Sequence, residues 1–167
     1  MLQSQSFKLA MKIFTKLFVS IFFVGYIKFA SGTWGSLASI LILFPIIKFT
    51  TLSFELLFII FVILFFISNL CINYFSHLTN SNDSKHIVID ELLGIYIILI
   101  FYDLIFIYND FLTLILIFFI FRLFDIVKLF PANYIDKNLK NGYGVILDDI
   151  VAGIYTILTL IILNAFI

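Results

Sequence analysis

Two pairs of adjacent carboxylates are the side chains in this sequence most suited to chemistry. Asp90 and Glu91 stand directly before one apolar run, and Asp148 and Asp149 stand directly before another. One acidic residue at a helix start is usually a cap or a partner of the helix dipole, but two exceed what a cap needs. Hard divalent cations such as Mg²⁺ prefer oxygen ligands from several segments. Metal binding is therefore one interpretation, and helix capping is the structural alternative.

A second group of residues combines both signs of charge. Arg122, Asp125 and Lys128 follow one another at intervals of three in an otherwise apolar segment. This spacing predicts that they share one arc of a helix. The structural alternative is an internally paired helix end whose long side chains reach the membrane interface. Because ionisable groups at membrane depth are costly and usually functional, we weigh the two interpretations equally.

Weaker signals lie elsewhere in the chain. Asp136, beside two lysines, is by itself most simply a solvated loop acid. The segment SGTWGS at 31–36 offers hydroxyls and backbone N–H groups at a predicted helix start, as a phosphate-binding segment does, although small residues also serve helix packing. His77 and His86 lack metal-ligand spacing and are predicted to lie on the surface. The single Cys71 lies in an apolar run and is predicted to be a packing residue.

Composition shows where this chemistry would take place. The chain has 167 residues, of which 63% are hydrophobic and 12% charged, and its mean hydropathy is +1.21. Such a chain cannot cover its apolar surface in water, so it is predicted to lie in a bilayer. Ten basic residues balance ten acidic ones, which leaves no basic field for nucleic acid. With no activated Ser, Cys or His evident, the charged set suits metal-assisted phosphoryl chemistry on a phosphorylated lipid.

The elements that must position these residues are predicted to be helices, because helices satisfy their own backbone groups in lipid and period-two alternation is absent. Five uncharged or nearly uncharged runs predict an all-α bundle of about five spans in a single domain, 1–167. These runs cover 36–47, 56–72, 92–109, 111–121 and 150–167. The segment 14–29, interrupted by two lysines, is predicted to lie in the interface or to re-enter.

The number of predicted membrane crossings between two charged segments determines whether they lie on the same face of the membrane. Two crossings separate the polar loops 75–91 and 130–149, so both loops are predicted to lie on one face, and two further crossings bring 30–35 there. If the N-terminus lies there as well, nine of the ten Lys and Arg share this face and only Lys48 lies opposite, which predicts a cytoplasmic active face. Three acidic residues map toward the other face: Glu55, Asp103 and Asp110.

Several ordered blocks of this sequence resemble the phosphatidylglycerophosphatase A family. They are IVIDELLG at 87–94, FRLFDIVK at 121–128 and GYGVILDDIVAG at 142–153, together with the small-residue segment 31–36. The resemblance covers about residues 25–160. It implies a Mg²⁺-dependent phosphatase of a bacterial inner membrane that converts phosphatidylglycerophosphate to phosphatidylglycerol and phosphate in phospholipid biosynthesis.

The resemblance also implies roles for individual residues. The family's acidic positions fall on Asp90, Glu91, Asp125, Asp136, Asp148 and Asp149, and its basic positions fall on Arg122 and Lys128. As hypotheses, Mg²⁺ ligands would be Asp90, Glu91, Asp148 and Asp149, and phosphate-binding residues would be Arg122, Lys128 and Thr33. Glu91 and Asp149 would also be catalytic, and Asp125 could be a ligand, a base or a nucleophile. Asp136 is an additional candidate.

The chain departs from the family pattern at three positions. Leu129 and Ser31 stand where the family usually has proline, and Asn141 replaces one glycine of a pair. None of these changes removes a charge. The alternative function is a non-catalytic membrane subunit or a small transporter, but it requires ionisable residues at mid-span in several helices. Only Asp103 and Glu55 are candidates, which disfavours it; the sequence identifies no protein partner.

Overall fold

A computed structural model describes residues 2–80 and 84–166, and every regular element in these ranges is helical, as predicted. The helices are α1 (Leu2–Val19), α2 (Ser31–Phe49), α3 (Phe54–Thr79), α4 (Ile89–Ile100), α5 (Tyr102–Ile105), α6 (Asp110–Val127), α7 (Ala132–Asn138) and α8 (Gly142–Ala165). A short 3₁₀ helix, Val24–Tyr26, lies between α1 and α2.

Three of these helices, α2, α3 and α8, are long and apolar enough to cross a membrane. The chain therefore has the character of a membrane protein. The other two predicted spans are not among the helices that qualify by length and composition. Helix α4 has 12 residues and is followed by the separate short helix α5, while α6 has 18 residues and carries Asp110, Arg122 and Asp125.

Polar side chains cap the helices that follow tight connections. Ser53 Oγ accepts from Leu56 N at the start of α3, and Asn109 Oδ1 accepts from Leu112 N at 2.9 Å at the start of α6. Asn141 Oδ1 likewise accepts from Gly144 N at 3.1 Å. Because this asparagine caps α8, the helix begins at Gly142 and not at the acidic pair. The prediction that Asp148 and Asp149 open the last helix was wrong: they lie in its second turn.

The N-terminal helix α1 ends before the segment turns toward α2. Ile21 and Phe23, with Phe22 between them, have positive φ angles, so the backbone turns sharply after Val19. Val19 O accepts from Val88 N at 2.9 Å, which ties the end of α1 to the start of α4. Helix α1 is not among the candidate spans, and the placement of the segment 14–29 in the interface or as a re-entrant segment stays a prediction.

Helix α4 is the buried centre of the bundle. Ten of its 12 residues are buried, and Leu93, Ile95 and Ile98 are fully so. It approaches α8 closely at two glycines. A Cβ on Gly153 would lie 2.7 Å from Gly94 O, and a Cβ on Gly94 would lie 2.9 Å from Asp149 O. Small residues permit this close backbone contact, which brings the starts of α4 and α8 together.

Replacing Gly153 by Leu should separate α4 from α8. The added side chain meets backbone atoms that cannot move aside, so we expect the free energy of unfolding to fall by about 2 kcal/mol, even with the gain in helix propensity. Unfolding of the purified protein in detergent measures this change. Ala165→Leu, at an exposed position of the same helix, is the control. Equal stability of the two variants would contradict the close contact.

Candidate active site

Three carboxylates from two helices form the centre of the site. Asp90 and Glu91 lie in the first turn of α4, and Asp149 lies in the second turn of α8. One oxygen from each lies within 4.8 Å of the others. Glu91 is only 8% exposed and Asp149 only 4%. The cluster forms because the glycine contact between α4 and α8 lies one turn deeper in the bundle.

Some atoms of this cluster have no hydrogen-bond partner. Among the described residues, nothing donates a hydrogen bond to Asp90 Oδ1 or Glu91 Oε2, although both atoms are buried. Carboxylates so close together repel one another, and these two oxygens lack the donors that usually compensate burial. A cation resolves both problems. Because the donors are all carboxylate oxygens, the set fits a hard divalent cation.

Arg122 on α6 lies beside the carboxylates. Its Nη1 atom lies 2.5 Å from Asp125 Oδ2, one helical turn away, and 3.8 Å from Glu91 Oε1. The same nitrogen donates to Ser36 Oγ of α2 at 3.5 Å. Its Nε atom is buried without a partner among the described residues. The guanidinium is thus held in place through Nη1, while its Nε donor is left unpaired by the described residues.

The small-residue segment at the start of α2 packs directly on this site. A Cβ on Gly32 would overlap Glu91 Oε1 and would lie 3.1 Å from Arg122 Nη1. A Cβ on Gly35 would lie 2.8 Å from Val88 Cβ. Glycine is therefore required for α2 to approach α4 and α6. Thr33, half-buried, lies between these two glycines in the first turn.

The start of α2 is held by a contact with the loop that precedes α4. Ser31 Oγ donates to Lys85 O at 2.7 Å. This is the residue that stands where the family usually has proline, and its hydroxyl joins α2 to the chain segment that enters α4. The departure from the family pattern therefore leaves the segment anchored beside the carboxylates.

Lys128 does not share the helical arc of Arg122 and Asp125, so that prediction was wrong. It follows the last residue of α6 with φ 47°, a left-handed conformation that turns the chain out of the helix. Its Nζ atom lies 2.6 Å from Asp148 Oδ2 and 3.1 Å from Asp136 Oδ1. Partial burial acts to lower the pKa of Lys128, but these two carboxylates outweigh it and raise the pKa above its ordinary value.

The predicted residues thus fall into two adjacent groups. The first, which we call the carboxylate cluster, is Asp90, Glu91 and Asp149 with Arg122 and Asp125 beside it. The second is Lys128 with Asp136 and Asp148. Asp148 lies outside the three-carboxylate group, although its Oδ1 atom is buried and has no partner among the described residues. The second group adjoins the first because Asp148 and Asp149 are consecutive.

Sequence reasoning missed two residues that hold α8 in place. Asn73 Oδ1 accepts from Gly142 N at 2.8 Å, and Asn73 Nδ2 donates to Asn69 Oδ1 at 3.1 Å. These asparagines of α3 fix the start of the helix that carries Asp149. The signal was present in the sequence, since two asparagines four residues apart in an apolar run are costly unless they are paired.

The opposite end of the bundle has its own polar group. Lys48 Nζ lies 3.2 Å from Asp110 Oδ1, and Tyr102 Oη donates to the same oxygen at 2.8 Å. Lys48 is 16 residues after Gly32 in α2, which places it about 24 Å along the helix. The two polar groups therefore lie at opposite ends of α2, and their assignment to opposite membrane faces stays a prediction.

Comparison with known proteins assigns the chain to a family. The family described as Phosphatidylglycerophosphatase A matches residues 17–164. The phosphatidylglycerophosphatase A of Haemophilus influenzae is 35% identical over 138 residues, 80% of this chain and 78% of the relative. The Escherichia coli protein of the same name is 36% identical over 90 residues, 51% of this chain and 50% of the relative.

A third relative has a different name. A Bacteroides thetaiotaomicron protein, provisionally named a phosphatidylinositol-3-phosphatase, is 31% identical over 137 residues, 79% of this chain and 82% of the relative. No solved structure matches the chain. The family match and the Haemophilus relative together show that this chain belongs to the phosphatidylglycerophosphatase A family.

Proposed function

We propose that this chain hydrolyses the terminal phosphate of phosphatidylglycerophosphate, giving phosphatidylglycerol and inorganic phosphate in phospholipid biosynthesis. Membership of the family and the names of two relatives support this activity. The structural observation that carries the proposal is the three-carboxylate group, in which Glu91 and Asp149 are buried, beside an arginine whose Nε donor is unpaired among the described residues. One element of this site fits a divalent cation and the other fits a phosphate.

We assign the metal ligands to Asp90, Glu91 and Asp149. This assignment is narrower than the sequence-based set, because Asp148 is paired with Lys128 at 2.6 Å. When bound there, Mg²⁺ would neutralise phosphate oxygens and lower the pKa of a coordinated water. The chain's own contribution is to hold three ligands rigidly, which it does by packing α4 against α8.

Arg122 is the proposed phosphate-binding residue. Its Nε donor is unpaired among the described residues and is suited to an anion that accepts a charge-assisted hydrogen bond. Asp125 already accepts from Arg122 at 2.5 Å, so we assign it the role of positioning the guanidinium, in preference to ligand, base or nucleophile. Thr33 lies between Gly32 and Gly35, at the point where α2 meets Arg122, and its hydroxyl is the proposed additional phosphate contact.

The reaction transfers a phosphoryl group to water. The phosphorus–oxygen bond to the glycerol breaks, a bond to the water oxygen forms, and the water proton passes to the leaving alcohol. Little covalent chemistry is required of the protein, so positioning and charge neutralisation provide most of the catalysis. The buried carboxylates and Arg122 are arranged for both purposes.

The proposed placement is a five-span protein of a bacterial inner membrane with the active face in the cytoplasm. It adds α4 with α5, and also α6, to the three helices that qualify by length and composition. The distribution of charge supports the orientation: if the N-terminus lies on the face of the carboxylate cluster, nine of the ten Lys and Arg share that face. A transporter would place ionisable groups at mid-span, whereas here they occupy the two ends.

Purified protein in detergent should release phosphate from phosphatidylglycerophosphate with Mg²⁺ and not with EDTA. Asp149→Asn and Glu91→Gln should each lower turnover by at least about a hundredfold, because each removes a charged ligand. Asp103→Asn, at the opposite end of the bundle, is the matched control and should behave as wild type. Phosphatidylinositol 3-phosphate, assayed in parallel, tests the alternative substrate. Release from neither lipid would refute the proposed activity.

The same site predicts an effect of Mg²⁺ on stability. At a free concentration about a hundred times its Kd, Mg²⁺ should raise the free energy of unfolding by about 2.7 kcal/mol. Asp149→Asn should abolish this rise. In EDTA the same variant should be more stable than wild type, because it removes repulsion between buried carboxylates. Unfolding in detergent at several Mg²⁺ concentrations measures both effects, and an unchanged response in the variant would exclude this metal site.

A third test separates a structural role of Lys128 from phosphate binding. Lys128→Met leaves Asp148 buried without its partner and should cost about 2 kcal/mol, less than for a fully buried pair because the lysine is partly exposed. Lys128→Met combined with Asp148→Asn should recover that stability. If Lys128 binds phosphate, the double variant still has a raised KM for the lipid. A wild-type KM in the stable double variant would remove Lys128 from the phosphate site.

A further inference from the structure

An apolar groove lies between α2 and α6 on the outside of the bundle. Its volume is about 230 Å³, and the residues that matter here are Leu37, Leu41, Phe111, Ile115, Phe118 and Phe119. Leu41 is 66% exposed and Phe119 is 65% exposed, so the groove opens sideways toward the surrounding lipid. Every residue that lines it is apolar.

The groove begins directly below the proposed phosphate site. Leu37 follows Ser36, the residue whose hydroxyl accepts from Arg122 at 3.5 Å. On the other wall, Phe118 lies one helical turn before Arg122 on α6. From Phe119 to Phe111 the groove then runs for about 12 Å away from the carboxylate cluster, toward the end of the bundle that carries Asp110.

We infer that this groove binds an acyl chain of the phosphorylated lipid while its phosphate is held at Arg122. The inference rests on the proposed function and adds to it the place where the hydrocarbon part of the substrate lies. The occupant is identified by the position of the groove, which starts next to the proposed phosphate site. A molecule with a phosphate at one end and hydrocarbon at the other can place its phosphate at Arg122 and its hydrocarbon in the groove. The long axis of the groove also runs along the helices, as a lipid chain in a bilayer does.

A second apolar cavity is less suitable for this chain. It has a volume of about 300 Å³ and lies between α1 and the helices α2, α3 and α4, lined in part by Ile42, Leu64 and Leu92. None of the residues that line it belongs to α6, the helix that carries Arg122. The groove between α2 and α6, in contrast, has α6 as one of its walls.

The groove would contribute to catalysis by orienting the lipid headgroup in the site. Lipid hydrocarbon is as apolar as leucine, so moving a chain from the bilayer into the groove gains little hydrophobic free energy. Holding the chain fixes the direction in which the headgroup enters the site, and misplaced reacting groups lose rate steeply. The expected effect of blocking the groove is therefore a loss of turnover on long-chain lipid, with a smaller change in KM.

Filling the groove tests the inference. Leu41→Trp and Ile115→Trp should each lower kcat/KM for dipalmitoyl phosphatidylglycerophosphate by about tenfold. Both should leave dihexanoyl phosphatidylglycerophosphate unaffected, because its chains are too short to follow the groove. Two controls should match wild type on both lipids: Ile42→Trp, which fills the second cavity, and Leu70→Trp, whose residue is similarly exposed on α3 at 68%.

The outcomes are distinguishable. Equal loss on both lipids, no loss on either, or the same loss in Ile42→Trp would overturn the groove while leaving phosphatase activity intact. A wild-type protein that hydrolyses neither lipid would instead overturn the proposed function.

A second measurement does not need turnover. Dipalmitoyl phosphatidylglycerophosphate with a photoreactive group in mid-chain, bound in EDTA, should cross-link mainly to peptides containing residues 37–41 and 111–119. Leu41→Trp should reduce this labelling. Cross-links spread evenly over the lipid-facing helices would contradict specific binding of the chain.

Discussion

The site depends on the close approach of α4 and α8 at Gly94 and Gly153. A Cβ at either position would lie less than 3 Å from a backbone oxygen of the other helix, so the two helices can lie this close only with glycine there. One turn nearer the start of each helix, the same approach brings Asp149 against Asp90 and Glu91. In a membrane, where burial of apolar groups adds little to helix association, such contacts determine how helices pack.

This packing brings negative charges close together, and they repel one another unless a positive charge compensates them. Three carboxylates lie together, two of them on buried residues, and Arg122 forms an ion pair with one of the three, Glu91, at 3.8 Å. The guanidinium is mainly paired with Asp125, and Lys128 is paired with Asp148, the residue before Asp149 on α8. The neighbouring positive charges are therefore already engaged, and a divalent cation is the natural partner for the remaining negative charge. Function and folding are coupled here, because the residues that destabilise the metal-free protein are those proposed to bind metal.

Much of this arrangement could be predicted from the sequence, and the failures have identifiable causes. Counting crossings correctly gathered Asp90, Arg122 and Asp149, because apolar runs and polar loops are long-range signals that survive errors in helix ends. The start of α8 was misplaced because Asn141 was interpreted as part of a flexible loop, whereas its side chain caps the helix. Lys128 was misplaced because spacing alone does not show where α6 ends. The groove between α2 and α6 could not be predicted, since it depends on how far apart two helices lie.

Anomalous X-ray diffraction from crystals containing Mn²⁺ in place of Mg²⁺ tests the central claim most directly. The account predicts an anomalous peak coordinated by oxygens of Asp90, Glu91 and Asp149, next to Arg122. A peak between Asp136 and Asp148, or no peak near α4 at saturating Mn²⁺, would contradict it.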